Sequence, residues 1–292
     1  MKYFYLLLTT VILACTSSSG NEETTSKDEV LLYLTIRDSN YDIFKNDLKG
    51  TEVRLTTNTG FDYSPMWNEG LNKIIYYSYV NDSFQIASKD LGGRDVLLNT
   101  YGQTEFNLSP SGQFLINQVQ VGDTSILILS NLRGSEVDTI ASSGLYNGRA
   151  KWSWESDKIA YISDRDGNNE VFVYDLKDAS TIRLTTNDTF EKYITWEVGG
   201  NRLAYTTQYY EEGTPGRNDV FVYDFSNGDT NQITDNPYND TELAWSPISG
   251  RIAFHSTREG SDHIYVMNSD GSNQLQITNV GAYHGEPCWA WE

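Results

Sequence analysis

A unit of 40 to 49 residues recurs six times along this chain of 292, starting at Leu31, Ile74, Phe114, Ile159, Leu203 and Ile252. Residues 159–176 and 252–269 show it best: each reads as a strand, a polar turn containing Gly, and a second strand. A Leu-Thr or Ile-Thr ending follows at Leu55-Thr56, Leu184-Thr185, Ile233-Thr234 and Ile277-Thr278, with degenerate versions at Leu98-Asn99 and Ile140-Ala141. Next comes a strand carrying one large residue, at Trp67, Leu108, Trp152, Trp196, Trp245 and Trp289, in most copies seven residues before the following unit. Five of the seven tryptophans thus occupy one repeat position. A unit of this kind cannot bury both faces of its own sheet, so its neighbours must cover it.

Four short strands per unit, repeated six times, predict an all-β fold: a six-bladed β-propeller of four-stranded blades. Period-2 stretches such as Val171-Phe172-Val173-Tyr174 exclude helical repeats of similar length, and a sandwich has no reason to reuse one Trp position. The Trp row is expected to wedge between neighbouring blades. A composition with 13% aromatic residues and 23 Gly agrees with strands and tight turns. The chain enters on the strand that normally follows the Trp strand and leaves on a Trp strand, 286–292. Residues 286–291 are therefore expected to become the innermost strand of the blade begun by 31–56, which closes the ring and removes its open edges.

The propeller is expected over 30–292, and what precedes it reads differently. Residues 1–14 have the pattern of a secretory signal: Lys2, an apolar run from Tyr3 to Leu13 too short to span a bilayer, then Ala14. Ile12-Leu13-Ala14-Cys15 resembles a bacterial lipobox, which implies cleavage before Cys15 and acylation of its thiol. Residues 16–29 contain nothing apolar to bury and are expected to be a flexible tether. With Cys15 acylated, Cys288 is left alone and no intramolecular disulfide can form. The 21 Lys and Arg stand against 40 Asp and Glu, a net charge of −19. This balance excludes nucleic acid and anionic membrane surfaces as partners, leaving the lipid as the only membrane attachment.

Several units carry a more specific likeness. Ile252-Ala-Phe-x-Ser-x-Arg-x-Gly260, Ile264-Tyr-Val-Met-Asn-Ser-Asp-Gly271, Gln276-Ile-Thr278 and Trp245-Ser-Pro-x-x-Gly250 resemble the repeats of the TolB propeller and its relatives, over about residues 31–292. The resemblance implies a propeller that binds other envelope proteins. Similar blades also occur in prolyl-oligopeptidase-type peptidases and oligogalacturonate lyases, so fold and function separate here. The α/β domain that precedes the TolB propeller has no counterpart in this sequence, and the lipobox is an addition.

Catalytic chemistry finds little support. A Ser-His-Asp hydrolase requires an α/β domain with a Gly-x-Ser-x-Gly elbow, which the sequence lacks. The three histidines, His255, His263 and His284, all lie in the last unit; the first two read as strand and turn residues of a peripheral hairpin, and only His284 as a channel-side residue. No metal site and no cofactor are expected. Asp164-Arg-Asp-Gly-Asn-Asn-Glu170 matches part of a calcium loop but recurs as an ordinary hairpin turn at 258–262.

The candidate site is instead the channel mouth. Five residues before the Trp row stands a polar set, Asp62, Gln103, Asn147, Glu191, Asp240 and His284. One or two positions earlier stands an aromatic set, Phe61, Tyr101, Tyr146, Phe190, Tyr238 and Tyr283. On a closed ring the polar set is expected to face the channel opening with the aromatics around it, a concave site for a peptide or a glycan. The insertion Gln208–Asp219 offers Tyr209, Tyr210 and Arg217, residue types favoured in protein interfaces. The expectation is a monomeric, lipid-anchored propeller of the bacterial cell envelope, on the outer membrane facing periplasm or exterior. It would bind an envelope protein or peptide without catalysis; a carbohydrate-binding or carbohydrate-degrading protein is the alternative.

Overall fold

The computed structural model describes residues 27–91, 95–98, 105–131, 135–210, 216–279 and 281–292. The signal, Cys15 and most of the tether, together with Tyr101 and Gln103 of the candidate site, lie outside the described residues. Within them, 24 strands form six four-stranded antiparallel sheets. Blade 1 spans 29–54, blade 2 61–98, blade 3 105–141, blade 4 147–183, blade 5 190–232 and blade 6 240–276. No helix among these residues is long and apolar enough to cross a membrane.

The ring closes as the strand order at the chain ends predicts. Tyr283–Trp291 pairs antiparallel with Glu29–Arg37 and becomes the innermost strand of blade 1. At the seam Asp28 and Glu292 exchange backbone hydrogen bonds of 3.3 and 3.0 Å. The Glu29 carboxylate reaches blade 6, where it accepts hydrogen bonds from Ser249 N at 3.1 Å and Arg251 Nη2 at 3.2 Å.

The repeat signals acquire physical roles. Each large residue of the Trp row pairs with the start of its own unit: Trp67 with Ile74, Trp152 with Ile159, Trp196 with Leu203, Trp245 with Ile252 and Trp289 with Leu31. In blade 3 the partner of Leu108 is Leu115, one residue later than the Phe114 expected from alignment. Three indoles then cross to the preceding blade: Trp152 Nε1 donates to Asn107 O, Trp196 Nε1 to Lys151 O and Trp289 Nε1 to Ala244 O, at 3.0 to 3.1 Å. The wedge is thus a hydrogen bond as well as buried area.

The Leu-Thr ending completes an edge. The amides of Leu55, Leu184, Ile233 and Ile277 each donate to a third-strand carbonyl at 2.8 Å. The following Thr hydroxyl accepts the amide of that same third-strand residue, Ile43, Val171, Val220 or Ile264, at 2.9 to 3.0 Å. A buried N–H at the point where the fourth strand diverges is thereby satisfied. The Ser-x-Arg motif works similarly: Arg165 and Arg258 lie over Phe172 and Tyr265, 4.4 and 4.6 Å from the ring centroids, while Nε donates to Ser163 and Ser256. Glu170 of the calcium-like turn is fully buried and held by Arg183 Nη2 at 2.8 Å, as an internal ion pair.

Candidate binding site in the central channel

All six innermost strands contribute to a cavity of about 250 Å³. The residues that enter it stand three positions before the Trp row: Ser64, Arg149, Tyr193, Glu242 and Glu286. Their placement comes from one backbone device. In five innermost strands the register slips by one residue at this point, between Tyr63 and Met66, Gly148 and Lys151, Glu191 and Ile194, Thr241 and Ala244, and Gly285 and Cys288. Each slip is a β-bulge, which re-aims a side chain off the sheet. Ser64, Arg149, Glu242 and Glu286 adopt positive φ of 50 to 53° there, conformations that non-glycine residues rarely hold outside turns and functional sites.

The carboxylates tie adjacent bulges together. Glu242 Oε2 accepts the Glu286 amide at 2.7 Å, and Glu286 Oε2 accepts the Ser64 amide at 2.5 Å, so blades 6, 1 and 2 are linked around the channel wall. Burial, aided by the neighbouring Glu242 charge, pushes the Glu286 carboxyl up to about 7. Tyr283 donates its hydroxyl to Glu242 Oε1 at 3.3 Å, and burial beside the two carboxylates raises its phenol. Across the channel, Arg149 stacks on Tyr193 with its guanidinium carbon 4.3 Å from the ring centroid, next to Lys151. One wall is anionic and the opposite wall cationic.

The polar set expected at the mouth lies elsewhere. Asp62, Asn147, Glu191, Asp240 and His284 are all fully buried and bonded within the protein, and none of them lines the cavity. Asp62 accepts from Asn58 Nδ2 and Ser78 Oγ, Glu191 from Asn187 Nδ2, and Asp240 from Asn236 Nδ2 and Ser256 Oγ. These carboxylates hold the loop that enters each innermost strand. Several also face a buried acid of the preceding blade: burial and Glu170 raise Glu191 to about 7, and burial raises Asp62, with Asp42 adding to it. Asn147 plays the same part in blade 4, bonded to Ser125 and Ser163.

The histidines also differ from expectation. His255 and His263 stand on a strand and just after the turn of a hairpin, as expected, but they are buried because that hairpin packs against the closing strand. His263 and His284 stack at 5.7 Å, and His255 lies 5.6 Å from Tyr283. They are bonded to Thr241, Thr278 and Thr35, and His255 Nε2 to Asp262. Among the described residues, no three His, Cys, Asp or Glu side chains are grouped to hold a metal.

The aromatic set divides. Phe61, Phe190 and Tyr238 each keep about two fifths of their surface exposed. Tyr146 and Tyr283 lean over the glycines of their own strands, where a Cβ on Gly148 or Gly285 would strike the phenol. The insertion joins the first group: Tyr210, 67% exposed, meets Phe190 edge-on at 5.8 Å. Tyr209 and Arg217 are spent internally, Tyr209 against Phe221 and Arg217 on Asp235.

Sequence reasoning missed the channel-lining row because Ser, Arg, Tyr and Glu share no chemistry and leave no repeat signal. The available signal was proline. Pro65 and Pro287 stand two residues before Trp67 and Trp289 inside strands, and a residue that cannot donate to a ladder marks a bulge.

Comparison with known proteins agrees with this architecture. TolB from Acinetobacter baumannii superposes with a TM-score of 0.73 at 19% identity, covering 89% of this chain and 66% of that one, so the chain spans just under two thirds of that protein's length. A chain of a nidogen/laminin complex gives 0.67 at 8% identity over 90% and 98%, and an oligogalacturonate lyase in complex with manganese gives 0.55 at 14% identity over 86% and 74%. No curated protein sequence matches. The TolB beta propeller domain family matches residues 31–214, more than half of the sequence, and the chain belongs to that family.

Proposed function

We propose that this chain is a non-catalytic module that binds a protein or peptide, held at the bacterial cell envelope by a lipid on Cys15. The observation that carries the reading is the contrast between the two polar rows. The row whose chemistry repeats is buried and builds the ring; the row whose chemistry varies is thrust into the cavity by five bulges. A rigid frame presenting varied side chains at one opening suits recognition. The rim is Phe61, Phe190, Tyr210 and Tyr238, and the walls are Arg149, Tyr193, Glu242 and Glu286. That a chain of a nidogen/laminin complex shares the architecture supports a protein partner.

The test is cross-linking and capture from envelope membranes by the full-length lipoprotein. A variant combining Arg149→Ala, Phe190→Ala, Tyr210→Ala and Tyr238→Ala is expected to lose the captured protein while keeping its thermal midpoint; undiminished capture refutes the site. The exposed aromatic rim also favours a second reading, carbohydrate binding, as does the lyase likeness. A glycan array with and without manganese tests it, and silence in both conditions removes it.

A further inference from the structure

Beside the central cavity, between blades 1 and 2, lies a cleft of about 280 Å³ lined by Leu34, Tyr41, Phe61, Tyr63 and Glu286. Its walls are aromatic and braced from behind. Phe61 packs edge-on against Tyr41 at 4.8 Å and parallel to Tyr79 at 6.3 Å, and Tyr63 lies parallel to Tyr77 at 5.4 Å. Glu286 is the single charged lining residue, and it also lines the central cavity, so the cleft leads to that carboxylate.

We propose that this cleft receives an arginine side chain from a polypeptide partner, its guanidinium stacked on Phe61 and Tyr63 and paired with Glu286. The inference rests on the binding-module reading and names the chemistry that the site selects. Aromatic faces attract a planar cation, and guanidinium is more weakly hydrated than ammonium, so it loses less on entering an apolar slot. A carboxylate at the end of the slot supplies charge-assisted hydrogen bonds. Glu286 stands beside Glu242, and an incoming cation relieves the repulsion between them. A neutral sugar can donate a hydroxyl to Glu286 but brings no charge to pair with it, so the cleft favours a cation over a glycan. The net charge of −19 draws basic partners to the disc at long range.

The experiment titrates the full-length protein in detergent with acetyl-Gly-Arg-Gly-amide and with its neutral isostere, acetyl-Gly-citrulline-Gly-amide, followed by the chemical shifts of ring protons. The arginine peptide is expected to bind saturably and at least tenfold more tightly than the citrulline peptide. Glu286→Gln is expected to weaken it at least tenfold, and Phe61→Ala, an exposed position that leaves the fold intact, at least fivefold. Affinity rises between pH 6 and 8 as Glu286 ionises, a trend that Glu286→Gln abolishes; Glu242, Tyr63, Tyr193, Tyr283, Arg149 and Lys151 are the other titratable groups around it and remain in that variant. Equal binding of the two peptides, no binding of the arginine peptide, displacement by chitohexaose, or Glu286→Gln within twofold of wild type each overturns the proposal. Capture of an envelope protein that survives Glu286→Gln overturns the arginine site alone. Arginine-peptide binding without any captured protein overturns the module reading alone.

Discussion

Glu286 offers a direct measurement of what the channel does to a carboxylate. In the folded ring its pKa is about 7, against an ordinary 4.5, chiefly because burial disfavours the charged form. The folded state therefore holds the proton more tightly than the unfolded chain. Stability from this group is present in full below about 4.5 and is lost as pH rises through 7, the reverse of a salt-bridged carboxylate. At 1.36 kcal/mol per unit, the displacement corresponds to roughly 3 kcal/mol. Glu286→Gln removes the titration yet keeps an oxygen that can accept the Ser64 amide. Glu191, also raised to about 7, titrates in both proteins and cancels from the difference. Urea unfolding followed by tryptophan fluorescence at pH 5, 6, 7 and 8 should show the variant gaining on wild type by about 2 to 3 kcal/mol across the series. A difference that stays constant within about 0.5 kcal/mol would show that the channel does not perturb this carboxyl, and the account of the acidic wall would fall.

Other outcomes follow from the repeat chemistry. Thr185→Val or Thr234→Val leaves a buried third-strand amide without an acceptor and is expected to lower stability by about 1 to 3 kcal/mol, whereas Thr185→Ser should recover most of it in the same urea assay. Trp196→Ala removes a wedge together with its bond to Lys151 O and should cost about 3 to 5 kcal/mol; a loss below 1 would contradict the wedge role. Gly285→Ala forces a Cβ onto the Tyr283 hydroxyl and the Glu242 carboxylate, and the expected result is a lower thermal midpoint that Tyr283→Phe partly restores. Cys15→Ala should release the protein from membranes on fractionation and abolish incorporation of labelled palmitate.

The fold was legible because its determinants repeat. Trp at one position, Leu-Thr or Ile-Thr at another and Gly in the turns each report a local requirement imposed six times over, and even the closure could be read from which strand type stood at each chain end. The site was less legible, for a reason of geometry. A residue at the start of an innermost strand can face the channel or the loop beneath it, and the choice depends on a bulge two residues later. Asp62 and Asp240 bond to the loop beneath them, whereas Glu242 and Glu286, at the bulge itself, line the channel. The burial of His255 and His263 was hidden as well, since alternation within a hairpin does not reveal that the closing strand will cover it. The aromatics Phe61, Phe190 and Tyr238, each about two fifths exposed, stand out in the sequence because an aromatic ahead of each innermost strand is itself part of the repeat.

The exchange of hydrogen bonds between Asp28 and Glu292 places the two ends of the ring within a peptide's reach of each other. A short linker from 292 to 28 would turn the propeller into a covalent circle, and new termini cut at the exposed Gly122 turn of blade 3 would give a permutant with every sheet intact. In such a protein the seam inside blade 1, between its two innermost strands, becomes an ordinary hairpin, and blade 3 becomes the blade closed by pairing of the chain ends. The permutant's thermal midpoint would then report how much of the ring's cohesion depends on where the polypeptide happens to be open.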